Sequence, residues 1–185
     1  CNIGFGLKQK RPTNLPKQIS KPDIKKYVLR VYVHQGVNLP AASNDGTVNA
    51  FILVKFAGRF KLIDCPKTPT RYPHYFQMVE IAAAVDPAHV PSVVLMVYHR
   101  YSTGGQQLVG RCEINSEDVL PPKDLAQAKY DINTLNPVVT KYPLKVVDVL
   151  GEDSKNSTPA DMKPCIVAQI QLTQKDDLPE VMPGW

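Results

Sequence analysis

Residues 27 to 54 read Y-V-L-R-V-Y-V-H-Q-G-V-N-L-P-A-A-S-N-D-G-T-V-N-A-F-I-L-V. Tyr27, Leu29, Val31 and Val33 fall at every second position, which places them on one face of a strand over residues 27–34. A polar loop centred on Asp45-Gly46 follows, and a second strand runs from Ala50 to Phe56. Strand, polar loop and strand in this order set the phase from which the rest of the chain is read.

The chain has 185 residues, 43% of them hydrophobic and 8% aromatic, which suits one soluble domain with appendages. No apolar run approaches the roughly 20 residues of a spanning helix. Residues 1–26 are basic and contain prolines without an apolar centre, so they predict neither an anchor nor a signal peptide. Membrane contact is therefore expected to be peripheral. Cys1, Cys65, Cys112 and Cys165 are scattered and form no C-x-x-C pair, which points to reduced thiols in a cytosolic protein and away from zinc. The chain opens on Cys1 rather than Met and is read as a piece of a longer protein.

The net charge of +5 is unevenly placed: residues 1–26 carry +6, residues 27–75 carry +4, and residues 76–185 carry −5. With Pro12, Pro16 and Pro22 and no hydrophobic period, residues 1–26 read as an extended basic arm. Such an arm is either a solvated linker or a contact for an acidic partner or an anionic leaflet. Residues 27–175 make the domain and 176–185 a C-terminal tail.

After the second strand, Ile52, Val54 and Phe56 share one phase, and so do Phe60 and Leu62. Placing both sets in one core calls for a three-residue connection, Ala57-Gly58-Arg59, which pairs Phe56 with Phe60 and sets Lys55 beside Lys61 on the outer face. Further strands are predicted over 75–81, 93–98 with Val93, Leu95 and Val97 inward, 107–113, 140–147, and 165–172 with Ile166, Ala168, Ile170 and Leu172 inward. Pro121-Pro122 before K-D-L-A-Q-A predicts a short helical insertion, and Gly151–Asp161 a polar surface loop. A glycosylation sequon at Asn156-Ser157-Thr158 is idle on the cytosolic reading. Eight short strands separated by turn signals predict an all-β, eight-stranded antiparallel sandwich.

The run G-V-N-L-P, the polar loop ending near G-T-V-N-A-F and the second strand together resemble the first calcium-binding loop of a C2 domain. One strand precedes that loop and the eighth lies last, which resembles the family's type II topology. Thr70, Pro73 and Tyr75 stand where the family reads approximately T-x-x-P-x-W. The phrases P-S-V-V-L-M-V-Y-H, L-V-G-R-C, Y-P-L and I-V-A-Q-I-Q-L are most similar to a ferlin C2 domain.

That resemblance implies a calcium site built from aspartates on two loops, because Ca²⁺ takes roughly six to eight hard oxygen ligands. The corresponding positions here are Ser43 and Asn49 in the first loop and His99, Tyr101 and Gln107 in the later one, with Gly110 fixing the register. None is a carboxylate, so no functional metal site and no cofactor are expected. His99-Arg100-Tyr101 instead suits a headgroup interface, or else forms a hydrogen-bonded loop. The second candidate is a basic patch of Lys55, Arg59, Lys61, Lys67 and Arg71, with Tyr72 and His74 nearby, suited to an anionic phospholipid such as phosphatidylserine or a phosphoinositide, or else a solvated face.

No G-x-S-x-G or Walker pattern occurs, and the four histidines fall on separate segments, so catalysis is not expected. Nor is nucleic-acid binding, since no aromatic stacking array accompanies the basic arm. The expectation is a calcium-independent, ferlin-like C2 module on the cytosolic face of a membrane, serving vesicle trafficking or fusion. The alternative is a C2 domain that joins proteins and binds no lipid.

Overall fold

The computed structural model describes residues 23–120, 138–147 and 163–175. Period-2 hydrophobicity becomes two antiparallel sheets. β1 (Lys25–Val37), β2 (Ala50–Phe56), β3 (Arg59–Ile63), β4 (His74–Val85), β5 (Val93–Arg100), β6 (Gln106–Ile114), β7 (Thr140–Pro143), β8 (Lys145–Val146) and β9 (Cys165–Gln174) follow in chain order. One sheet has the order β4-β1-β9-β7 and the other β3-β2-β5-β6-β8. Their inward rows meet in one core: Leu29, Val31 and Val33 from β1 and Ile166, Ala168 and Leu172 from β9 face Ile52, Val54 and Phe56 from β2 and Leu95 and Val97 from β5, all fully buried. Each large member contributes about 1.5–3 kcal/mol of transfer free energy.

The expected inward rows of β1, β2, β5 and β9 are the ones observed, because each of these strands has a neighbour on both sides and a core beneath it. The predicted strand over 140–147 divides. Pro143, which has no N–H to donate, ends β7 against β9; Leu144 turns into the core, and β8 pairs with β6 in the other sheet. One sequence run thus crosses the sandwich, and among the described residues there are nine strands where eight were expected. β1 also begins two residues early, so Lys25 and Lys26 belong to the sheet rather than to the arm. The expected helix after Pro122, the Gly151–Asp161 loop, the sequon and most of the arm and tail lie outside the described residues.

The largest correction is at the β2–β3 hairpin. Its turn has two residues, Ala57 (φ 47°) and Gly58 (φ 75°). Positive φ at both positions gives the turn whose twist matches that of paired strands. Phe56 therefore faces Arg59, Lys55 faces Phe60, Val54 faces Lys61 and Leu53 faces Leu62. Cross-strand partners share a face, so Phe60 and Leu62 lie on the outer surface with Lys55, and Lys61 is on the opposite face from Lys55. Pairing Phe56 with Phe60 fails because the turn geometry, not the phase of the apolar side chains, sets the register of an edge strand. Of β3 only Ile63 is buried.

Candidate functional site

β1 and β5 deliver their C-terminal ends, and β2 and β6 their N-terminal ends, to one pole of the sandwich. The five positions expected to correspond to calcium ligands collect there. The loop between β1 and β2 folds on itself: Ser43 N–H donates to Thr47 O, and Asp45 Oδ1 accepts from both Thr47 N–H (3.0 Å) and Thr47 Oγ1 (2.7 Å). These bonds hold the Asp45 carboxyl below its usual range. Asn49 N–H donates to His99 Nδ1 at 3.1 Å, and Asn49 Nδ2 to Arg100 O at 3.4 Å. The His99 side is walled by Tyr101, whose ring stands edge-on at 4.5 Å and whose hydroxyl bonds Gln107 Oε1.

His99 is 3% exposed. Burial lowers its pKa, with Asp45 opposing the shift. A ring that accepts at Nδ1 is neutral there. Next to it the Arg100 guanidinium pairs with Asp64 at 3.0 Å and lies 4.9 Å from the centre of the Phe51 ring. The donors at this pole do not fit a Ca²⁺ cage. Asp45 is engaged with Thr47 and Asp64 with Arg100, and the groups at the five corresponding positions are the Ser43 hydroxyl, the Asn49 and Gln107 amides, the His99 imidazole and the Tyr101 phenol, none of them a carboxylate. Among the described residues no three His, Cys, Asp or Glu side chains are grouped to hold a metal ion.

Tyr75, in the place of the family's tryptophan, is buried and donates its hydroxyl to Ala50 O at 3.1 Å, tying β4 to the start of β2. Thr70 N–H bonds Val48 O, and Gly36 N–H bonds Pro73 O. This stitching also engages Arg71: Nε donates to Leu39 O (2.8 Å) and Nη2 to Asn38 Oδ1 (2.7 Å). Its guanidinium faces the loop backbone.

The five basic residues expected in one patch are thus divided. Lys67 and Arg71 lie in the segment between β3 and β4 at the loop pole. Lys55, Arg59 and Lys61 lie on the hairpin, whose turn is at the other pole. Lys55 and Lys61 are exposed on opposite faces, and Arg59 Nη1 reaches across the edge of the sandwich to Ala82 O of β4 at 2.7 Å. Sequence reasoning missed two sets of neighbours. Phe60 and Leu62, assigned to the core, are 66% and 46% exposed beside Lys55. Lys26 and Lys175 stand one residue beyond the Tyr27–Gln174 pair of β1 and β9, and both line the same cleft as Arg59. The Ala-Gly turn between Phe56 and Arg59 was the available signal for the first; nothing local signals the second.

A family model described as C2 domain matches residues 27–132. A sequence comparison with curated proteins returns no match. Among solved structures, a C2 domain of a plant Extended Synaptotagmin 1 is similar with a TM-score of 0.53 at 12% identity, over 80% of this chain and 94% of that one. Human GIVD cytosolic phospholipase A2 is similar with a TM-score of 0.56 at 13% identity, over 83% of this chain but 17% of the phospholipase. A tandem pair of C2 domains from Extended-Synaptotagmin 2 gives a TM-score of 0.53 at 10% identity, over 94% of this chain and 49% of theirs. At these identities the likeness concerns the fold.

Proposed function

The chain belongs to the C2 domain family, and from that premise we propose that it is a non-catalytic module that docks peripherally on anionic phospholipid membranes without calcium, through its β2–β3 hairpin. The observation that carries this reading is the exposure of Phe60 and Leu62 on an edge strand beside Lys55, with Arg59 and Lys61 on the same strand. Two apolar side chains entering the headgroup boundary contribute about 2–3 kcal/mol together. Lys55, on the same face, adds on the order of 1 kcal/mol near an anionic surface at moderate salt. The sum corresponds to weak, reversible attachment, with a Kd on the order of millimolar, strengthened where a parent chain carries further binding modules. No helix among the described residues is long and apolar enough to cross a membrane, which agrees with peripheral attachment.

The loop pole supports independence from calcium, because a protein cation, Arg100, is already paired with Asp64 where acidic ligands would be needed. The likeness of its strand sequences to ferlin C2 domains makes a ferlin-like parent in vesicle trafficking or fusion, acting at a cytosolic membrane face, the setting we propose. Co-sedimentation with phosphatidylserine vesicles tests the reading. Binding is expected to be equal in EGTA and in millimolar Ca²⁺ and to weaken steeply with salt. Binding that requires Ca²⁺ contradicts it.

A further inference from the structure

β3 is the free edge of its sheet, and the geometry of its hairpin decides which backbone groups it leaves open. In a two-residue hairpin the closing pair, here Phe56 and Arg59, exchanges both hydrogen bonds, so Arg59, Lys61 and Ile63 direct N–H and C=O towards β2. Phe60 and Leu62 direct theirs away from it, and no described backbone group bonds them. The open stretch is bounded at each end: Gly58 belongs to the turn, and the Asp64 N–H already donates to Gln77 Oε1. Arg59 and Lys61, on the inward row, are exposed, so β3 stands clear of the opposite sheet and a neighbouring strand has room beside it. An apolar edge of this kind, with Phe60 and Leu62 exposed, is a template for a further strand.

We infer that a second copy of this chain takes that place, β3 pairing antiparallel with β3 about a two-fold axis at Lys61. This register uses every open group and no engaged one: Phe60 exchanges both bonds with the second copy's Leu62, and Leu62 with the second copy's Phe60. Centred on Leu62, the pairing would call on the Asp64 N–H; centred on Phe60, it would call on the turn at Gly58. Paired antiparallel residues share a face, so the two copies turn Phe60, Leu62 and Lys55 to one side and form a continuous apolar stripe flanked by lysines. The axis is perpendicular to the sheet, and both hairpins meet one flat surface together. That consequence, unlike the pairing, rests on the membrane reading, under which two joined modules hold a vesicle more tightly than one by on the order of a hundredfold. Lys61 faces its own copy on the other side of the sheet, and this repulsion, with so short a contact, keeps the pair weak in solution. Attachment to a membrane raises the local concentration and lets it form.

The test is oxidative cross-linking of the full chain on phosphatidylserine vesicles. In the inferred pairing Lys61 lies opposite itself with Cα atoms about 4.5 Å apart, inside the disulfide range of about 4.4–6.8 Å, whereas Phe60 is diagonal to itself at about 7–8 Å. Lys61→Cys is expected to give a disulfide-linked dimer about tenfold faster than Phe60→Cys or the parent chain, whose own cysteines set the background. Adding Leu62→Pro, which removes an outward N–H and leaves the ladder to β2 whole, is expected to abolish that gain. Lys61→Thr removes a cation together with the repulsion and is expected to strengthen vesicle binding, where attachment by charge alone would weaken. Cross-linking no faster at position 61 than at 60, with vesicle binding intact, overturns the inference and leaves the membrane reading standing, the edge then meeting lipid alone. If no variant binds vesicles, the membrane reading fails, and the same comparison of positions 61 and 60 in solution at millimolar chain decides the pairing: faster cross-linking at 61 upholds it and equal rates overturn it.

Discussion

At position 99 an imidazole stands at the place a calcium ligand would take, and its bonding decides what the loop pole does. His99 accepts the Asn49 N–H at Nδ1 while buried, so protonating it both removes an acceptor and places a charge in the interior. Its pKa in the folded protein is lowered by that burial. The unfolded chain, with a histidine pKa of about 6.5, then binds more protons than the folded one between the two values, so stability rises with pH there. His99's contribution is fully present above about pH 6.5 and is lost as pH falls through the lowered folded value. The thermal unfolding midpoint is expected to drop as pH is brought from about 7 towards 5, and His99→Asn, which keeps an acceptor but does not titrate, is expected to flatten that slope at the cost of about 1 kcal/mol of ring packing. An unaltered slope in the variant assigns the titration elsewhere. The same residue shows what composition can tell: the lack of acids at Ser43, Asn49, His99, Tyr101 and Gln107 was legible, whereas the Arg100–Asp64 pair was not, because Asp64 comes from a different loop.

Among the elements, the β2–β3 hairpin fixes which side chains can meet a surface. Its register rests on Gly58 at φ 75°, and a Cβ built there meets nothing within 4 Å. The cost of Gly58→Ala is therefore backbone strain alone, about 1–2 kcal/mol, read as a lower denaturant midpoint with unchanged m. Ala57→Asn, which tolerates positive φ better, is expected to raise stability by several tenths of a kcal/mol in the same titration. A Gly58→Ala variant as stable as wild type contradicts the two-residue turn. Legibility differed by element for a physical reason. β1, β2, β5 and β9 bury one row under a core, so their alternation reports their faces. β3 is an edge strand whose inward row overhangs the rim at Arg59 and Lys61, and there the apolar phase of Phe60 and Leu62 reports the outer face instead. The run through Pro143 and Leu144 carries one uninterrupted pattern although it serves two sheets.

For the whole molecule, the two sheets turn a scattered set of charges into a polarised body. Neighbours at the loop pole bond to one another, while the edge formed by β3 and β4 gathers cations from distant parts of the chain. The charge split along the sequence pointed to a basic arm, yet Lys25 and Lys26 are part of β1, and Lys26 and Lys175, each one residue beyond the Tyr27–Gln174 pair, line the same cleft. Only topology makes that meeting, which is why no local pattern announced it. The central claim is that the hairpin, and not the loop pole, enters the membrane. The most direct measurement places a single tryptophan, in a Trp185→Phe background, at Phe60 or at Tyr101, and follows emission and quenching by brominated phosphatidylserine vesicles in EGTA. The account predicts a blue shift and quenching for Phe60→Trp and neither for Tyr101→Trp. Quenching at position 101 alone, or only after Ca²⁺ is added, contradicts it.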